Sequence, residues 1–176
     1  MPDARLIALV NDLRMLSAET AWVEFKSNYA DPTVIGQRIS ALANAARMSD
    51  QHFAYLVWGV RDGDHAIVGT TFEPSSATYQ RQPLDFWLAQ RLEPSISFAF
   101  KVLQHPEGRL ALLEIPAATT APVEFDRTAY IRIGSATPRL ADYPDRQRAL
   151  WKKLQPYAWE SGIAAQYISG DEALTR

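Results

Sequence analysis

Glu19-Thr-Ala-Trp-Val-Glu24-Phe-Lys26 is the stretch around which the rest of the chain is organised. Trp22 to Phe25 alternates as a half-buried strand does, so side chains two apart share a face. Trp22, Glu24 and Lys26 fall on one side, Val23 and Phe25 on the other. Glu24 and Lys26 are then roughly 7 Å apart, close enough to act on one ligand. Glu19 lies upstream at the approach to the strand, within reach of Glu24. Two acids and a lysine so arranged suit a divalent metal held against a phosphate, with carboxylates on the cation and the lysine on the phosphate. The same residues also read as a solvated strand face with a surface ion pair.

Upstream, Leu6, Ile7, Val10, Leu13 and Leu16 recur at helical spacing within Asp3 to Leu16. Downstream, Asp31-Pro32 is a helix start, with an N-cap aspartate and a proline in the first turn. Ile35, Ile39, Leu42, Ala43 and Ala46 make one apolar stripe of that helix, and Gln37, Arg38, Ser40 and Arg47 face away from it. Phe53 to Val60 is apolar on both faces and suits a central strand. Arg61-Asp62-Gly63-Asp64 supplies a turn, and Ala66 to Thr71 reads as a return strand. Pro83 opens a helix through Leu92 that Glu93-Pro94 closes. Residues 96–103 and 110–115 form a hairpin across His105-Pro-Glu-Gly108. Tyr130 to Ile133 is a further strand, and Pro144 to Leu154 a basic helix with Leu150, Trp151 and Leu154 on its buried face.

These elements predict an α/β (α+β) domain over 1–155, a mixed central sheet flanked by helices, with 156–176 as an extension or the start of a linker. A length of 176 residues, 47% hydrophobic and 22% charged, suits one ordinary globular domain. No run is long enough to span a bilayer and no signal peptide is visible, so a cytoplasmic protein without membrane contact is expected. With no cysteine there is no disulfide and no thiolate zinc site. His52, His65 and His105 lack the i, i+4 spacing of a helical metal pair. No phosphate loop of the nucleotide-binding kinds occurs, so no ATP site is expected in this segment.

Asp62 is the candidate third acid, emerging at the end of the buried strand; Asp-Gly is equally a favoured turn dipeptide. Ile131-Arg132-Ile133-Gly134-Ser135 ends in a small-residue loop whose N–H groups, with Ser135 and Arg132, suit a phosphate, or which is a plain turn. Arg127, Arg132, Arg139, Arg146, Arg148, Lys152 and Lys153 stand against Asp142 and Asp145, +5 within a chain of −2, so the remainder carries −7. Such asymmetry is what a surface for a nucleic-acid backbone needs.

In order and spacing, Glu19 to Lys26, Ile39 to Asn44, Gly59-Val-Arg-Asp62 with Ile67-Val-Gly69-Thr70, Tyr130 to Ser135 and the Tyr143–Trp151 helix start resemble the Schlafen-type AlbA domain, also described as the divergent AAA-4 domain. The resemblance spans about 15–155 and implies an α/β domain that works on nucleic acid. In nuclease members two glutamates and an aspartate form a metal-dependent RNA-cleaving site; by that pattern Glu19, Glu24 and Asp62 would hold Mg²⁺ or Mn²⁺, and Lys26 would contact the scissile phosphate. Arg132, Ser135, Arg139, Arg146, Arg148, Lys152 and Lys153 would hold flanking backbone. The resemblance favours tRNA-like RNA over DNA and a paired, groove-forming homodimer. Its rivals are a non-catalytic DNA- or RNA-binding module of a bacterial regulator and a protein-interaction domain. One departure stands out. Where the family has a Gly-Gly pair after the asparagine, this chain has Ala45-Ala-Arg-Met, which predicts a differently shaped loop and leaves the role of Asn44 open.

Overall fold

The computed structural model describes residues 2–18 and 20–155. The tail reading for 156–176 lies outside them. A four-stranded sheet in the order β1-β2-β7-β6 forms the middle layer, from β1 (Val23–Lys26), β2 (Phe53–Trp58), β6 (Ala99–His105) and β7 (Gly108–Pro116). β1 runs parallel to β2, with Glu24 beside Leu56 and Lys26 beside Trp58; the other pairings are antiparallel. β2 is central and buried on both faces. Ala54, Leu56 and Trp58 pack with α2 (Pro32–Met48), and Val57 joins Val10 and Leu13 of α1 (Pro2–Arg14). Period-two alternation in an all-apolar strand produces this two-sided core.

α2 begins as its sequence dictates. The Asp31 carboxylate accepts a hydrogen bond from the Val34 N–H at 3.1 Å, and Pro32 fills the first turn. The helix runs on through Ala45 and Ala46 to Met48, as the high helix propensity of alanine favours. The polar face differs from expectation. Ser40, Asn44 and Arg47 are buried, because each satisfies backbone of the 118–130 segment. The Ser40 hydroxyl donates to the Val123 carbonyl and accepts from the Tyr130 N–H. Asn44 Nδ2 donates to the carbonyls of Val123 (3.1 Å) and Tyr130 (2.9 Å), and its Oδ1 accepts from the Val123 N–H (2.8 Å). Arg47 donates to the Ala118 carbonyl at 2.6 Å.

That latch explains why Tyr130 to Ile133 is not a strand. Its polar groups are met by Asn44 and Ser40 and by isolated bridges of Tyr130 to Arg139 and Ile133 to Ala136. The segment's short strands lie earlier, β8 (Glu124–Phe125) and β9 (Thr128–Ala129), with β5 (Leu92–Glu93) pairing β8. Ala66 to Thr71 also forms a loop rather than a return strand, with one bridge, Val60 to Ile67, and a Thr70 N–H that donates to the Arg109 carbonyl of β7 at 2.8 Å. α3 is shorter than expected, Leu84–Ala89, and follows a small hairpin of β3 (Thr78–Tyr79) and β4 (Gln82–Pro83). A 3₁₀ turn (Leu140–Asp142) precedes α4, residues 144–155. Leu150 and Leu154 are buried on α4 as expected, but Trp151 is 44% exposed. Among the described residues no helix is long and apolar enough to cross a membrane.

A candidate phosphate pocket at the open edge of the sheet

β1 is an edge strand, so side chains from both faces of the sheet reach the space beside it. Val23 and Phe25 point to the α1 side, as their alternation predicts, and Glu24 points to the α2 side. The Glu24 face is buried rather than solvated, with the residue 7% exposed. Its carboxylate is surrounded by cations from three elements. Arg38, in the second turn of α2, donates from Nε to Oε2 at 3.0 Å; Arg132 Nη1 donates to Oε1; and Lys26 Nζ stands 4.0 Å from Oε2. Arg132 is also buried, and among the described residues its Nε has no hydrogen-bond partner. Arg132 reaches Glu24 because the Asn44 latch fixes Tyr130, two residues earlier.

A cavity of about 60 Å³ opens beside this cluster, room for a few waters or one small anion. Glu24, Lys26, Asp62, Arg132 and Ser135 all line it. Five of the residues singled out in the sequence therefore meet in one place, although they lie up to 111 positions apart by their numbers. Glu19 lies outside the described residues; its neighbours Ala18 and Thr20 line the cavity. The remaining basic candidates are elsewhere. Arg139 pairs with Asp142, Arg148 with Asp145 and Lys153 with Asp50, all in exposed ion pairs. Arg146 and Lys152 are exposed on α4.

The end of β2 delivers Asp62 to the pocket. The Gly59 N–H donates to the Lys26 carbonyl at 2.8 Å, and the chain turns away there with φ +97°. A Cβ at Gly59 would lie 2.6 Å from Leu110 Cδ2 and 3.0 Å from the Arg109 carbonyl. Only glycine suits this corner. Gly59→Ala is expected to lose about 1–3 kcal/mol from overpacking alone, read as a lower urea midpoint at unchanged slope. In the loop that follows, the Asp64 carboxyl is held below the usual carboxylate range, chiefly by the Ala66 N–H, with Arg61 beside it. This brace is present above the ordinary carboxylate range and is lost as pH falls through the lowered value.

His65, which lines the cavity, and Arg38, which pairs with Glu24, were not singled out by sequence reasoning. Arg38 meets Glu24 from 14 residues away, a separation without a local signature. His65 lines the cavity at positive φ, where spacing rules for metal pairs do not look.

Among the described residues the Glu24 carboxylate is engaged by cations rather than open to a metal ion, and Glu19 lies outside them. Both Glu24 oxygens accept from arginines, and among the described residues no group of three His, Cys, Asp or Glu side chains is gathered. A cation would have to displace two guanidinium groups and settle beside a lysine. Three cations surround the Glu24 carboxylate, and two of them, Lys26 and Arg132, line the cavity together with Glu24 and Asp62.

A family model described as Schlafen, AlbA_2 matches residues 19–141. Among solved structures, the chain is similar to the DIP2311 protein of Corynebacterium diphtheriae, at 17% identity and a TM-score of 0.50, over 84% of this chain and 29% of that one. It is also similar to the N-terminal domain of a protein described as related to the ATP-dependent DNA helicase RecG from Nitrosomonas europaea. There the identity is 21% and the TM-score 0.45, over 74% of this chain and 89% of the other. The first likeness is one of fold, and this chain spans 29% of that protein's length. No curated protein matches the chain.

Proposed function

The chain belongs to the Schlafen AlbA_2 family, and on that premise we propose that it is a nucleic-acid-binding domain whose pocket at the β1 edge takes a backbone phosphate without a metal ion. The observation that carries this reading is the Glu24 cluster. A buried carboxylate serves as counter-ion and scaffold, holding Arg38 and Arg132 in fixed positions, while Lys26, only 4.0 Å away and half-buried, remains available to a ligand. Guanidinium groups preset in this way lose little freedom on binding phosphate. Ile133-Gly134-Ser135-Ala136 closes as a two-residue turn, with reciprocal backbone bonds of 3.1 and 3.0 Å, and brings Ser135 to the same cavity. The exposed cations of α4 make a second contact surface. Their ion pairs with Asp145 and Asp50 are solvent-screened and exchange readily for phosphates.

A metal-dependent nuclease is the second reading, favoured by the meeting of Glu24, Lys26 and Asp62 at one cavity. It requires Arg38 and Arg132 to release Glu24. Labelled tRNA and single-stranded DNA, incubated with the protein in Mn²⁺, Mg²⁺ or EDTA, separate the two. RNA is included because the family's nuclease members cleave it, and a homodimer is the assembly to look for in the same samples. The binding reading expects retarded, intact nucleic acid in every lane, weakening steeply with salt. Metal-dependent cleavage that is lost in Glu24→Gln would replace it with the nuclease.

A further inference from the structure

We infer that Trp151 is a base-stacking platform on α4, where the domain takes unpaired bases of single-stranded nucleic acid. The inference rests on the nucleic-acid-binding reading and adds a base contact to its phosphate contacts.

Tryptophan side chains ordinarily bury most of their surface, and a buried indole N–H finds an acceptor. Trp58 and Trp87 follow that rule: both are buried, and they donate to the Tyr29 carbonyl and to Gln80 Oε1. Trp151 does not. It is 44% exposed, and among the described residues it meets no other aromatic ring and its N–H has no acceptor.

The surroundings of the ring select its occupant. A groove of about 520 Å³ runs along α4, lined by Pro144, Gln147, Arg148, Trp151, Lys152 and Gln155. These positions follow i, i+3, i+4, i+7, i+8 and i+11, a single stripe of the helix. Trp151 is the one large apolar side chain on the stripe, no acid lies on it, and Arg148 and Lys152 flank the ring. The core of a protein–protein interface is depleted of charge, and this stripe has charge at its centre. A strand of nucleotides matches it instead. The ring stacks a base, the flanking cations meet the phosphates on either side, and the glutamine amides suit base edges. Arg148 is held only by an exposed ion pair with Asp145, and among the described residues Lys152 has no ion-pair partner, so both can turn to phosphates. The groove also complements the cavity at the edge of β1. That cavity, about 60 Å³, takes a phosphate-sized group and no base, whereas the groove on α4 is open and has room for bases.

The test follows fluorescence anisotropy of the 176-residue chain in EDTA with three labelled probes of equal length: oligothymidylate, an abasic strand with the same phosphates, and a DNA duplex. The parent is expected to bind oligothymidylate more tightly than the abasic strand. Trp151→Ala and Trp151→Leu should each lose about fivefold or more on oligothymidylate, and Trp151→Phe should keep most of the affinity. None of the three should change binding of the abasic strand or the duplex, which present no free base face. The salt slope should stay at its parental value, because no phosphate contact is removed. Full affinity in Trp151→Leu would make the ring apolar cover rather than a stacking surface. An equal loss on the abasic strand would make its role structural. Self-association of the parent that Trp151→Ala abolishes would assign the face to a second copy. Each of these results overturns the platform. If the Trp151 variants bound every probe as the parent does while Lys26→Gln weakened both single strands, the platform would fall and the phosphate pocket would stand. If the parent bound none of the probes, both readings would fall.

Discussion

Glu24→Ala is expected to destabilise the fold by about 3–5 kcal/mol, the usual cost of removing one partner from a buried ion pair. The Arg132 side chain is 6% exposed and that of Arg38 18%, so neither charge returns to water when the carboxylate goes. The expected signature is a lower urea midpoint, partly restored by sulfate or phosphate, since an anion can occupy the vacated position. The sign of this effect separates two kinds of site. In a metal centre without its cation, carboxylates repel one another, and deleting one relieves the fold. Here the carboxylate is the attractive partner of two arginines. An alanine variant as stable as the parent, or more so, would make Glu24 a member of an acidic cluster.

Asn44→Ala is expected to cost on the order of 2 kcal/mol or more, because it strands the Val123 N–H and the Tyr130 carbonyl in a buried seam, at about 1–3 kcal/mol each for groups that find no water, while the Val123 carbonyl keeps the Ser40 hydroxyl. Asn44 is fully buried and makes three hydrogen bonds across 79 to 86 residues. The consequence reaches the pocket as well. Tyr130 is the anchor from which the chain carries Arg132 to Glu24, so loss of the latch should also weaken anion binding. Measured by thermal unfolding and by sulfate titration, both quantities should fall together. A stability loss with unchanged anion affinity would show that the 130–135 turn holds its place without the latch.

Much of the fold was legible because its signals are local. The Asp31-Pro32 cap, the alternation around Glu24, the two-sided apolar run of β2 and the turn at His105 to Gly108 each depend on residues within a few positions. Ala66 to Thr71 and Tyr130 to Ile133 were misread as strands for a related reason. Both are rich in β-branched or aromatic residues, yet their backbone groups are met by distant side chains. Arg109 donates to the Thr70 and Phe72 carbonyls, and Asn44 and Ser40 serve Tyr130. Trp151 was placed on the buried face of α4 although Leu150 and Leu154 alone fill it. At the pocket, the residue types at 24, 26, 62, 132 and 135 were readable from sequence. What they do to one another was not. Arg38 stands on a face of α2 that looks solvated in sequence, and only the β1–α2 packing shows that it occupies one oxygen of Glu24.

Lys26→Glu bears most directly on the phosphate pocket, because Lys26 is half-buried at its mouth and its loss leaves the Arg38–Glu24–Arg132 cluster intact. Fluorescence anisotropy with labelled tRNA and single-stranded DNA, in EDTA and across a salt series, would be compared with the parent chain at matched thermal stability. The expected result is metal-independent binding by the parent and a loss of at least about tenfold in the variant, with the salt slope reduced by about one. Equal affinity and equal slope in Lys26→Glu, or parental binding that disappears in EDTA, would contradict a metal-free phosphate site at the edge of β1.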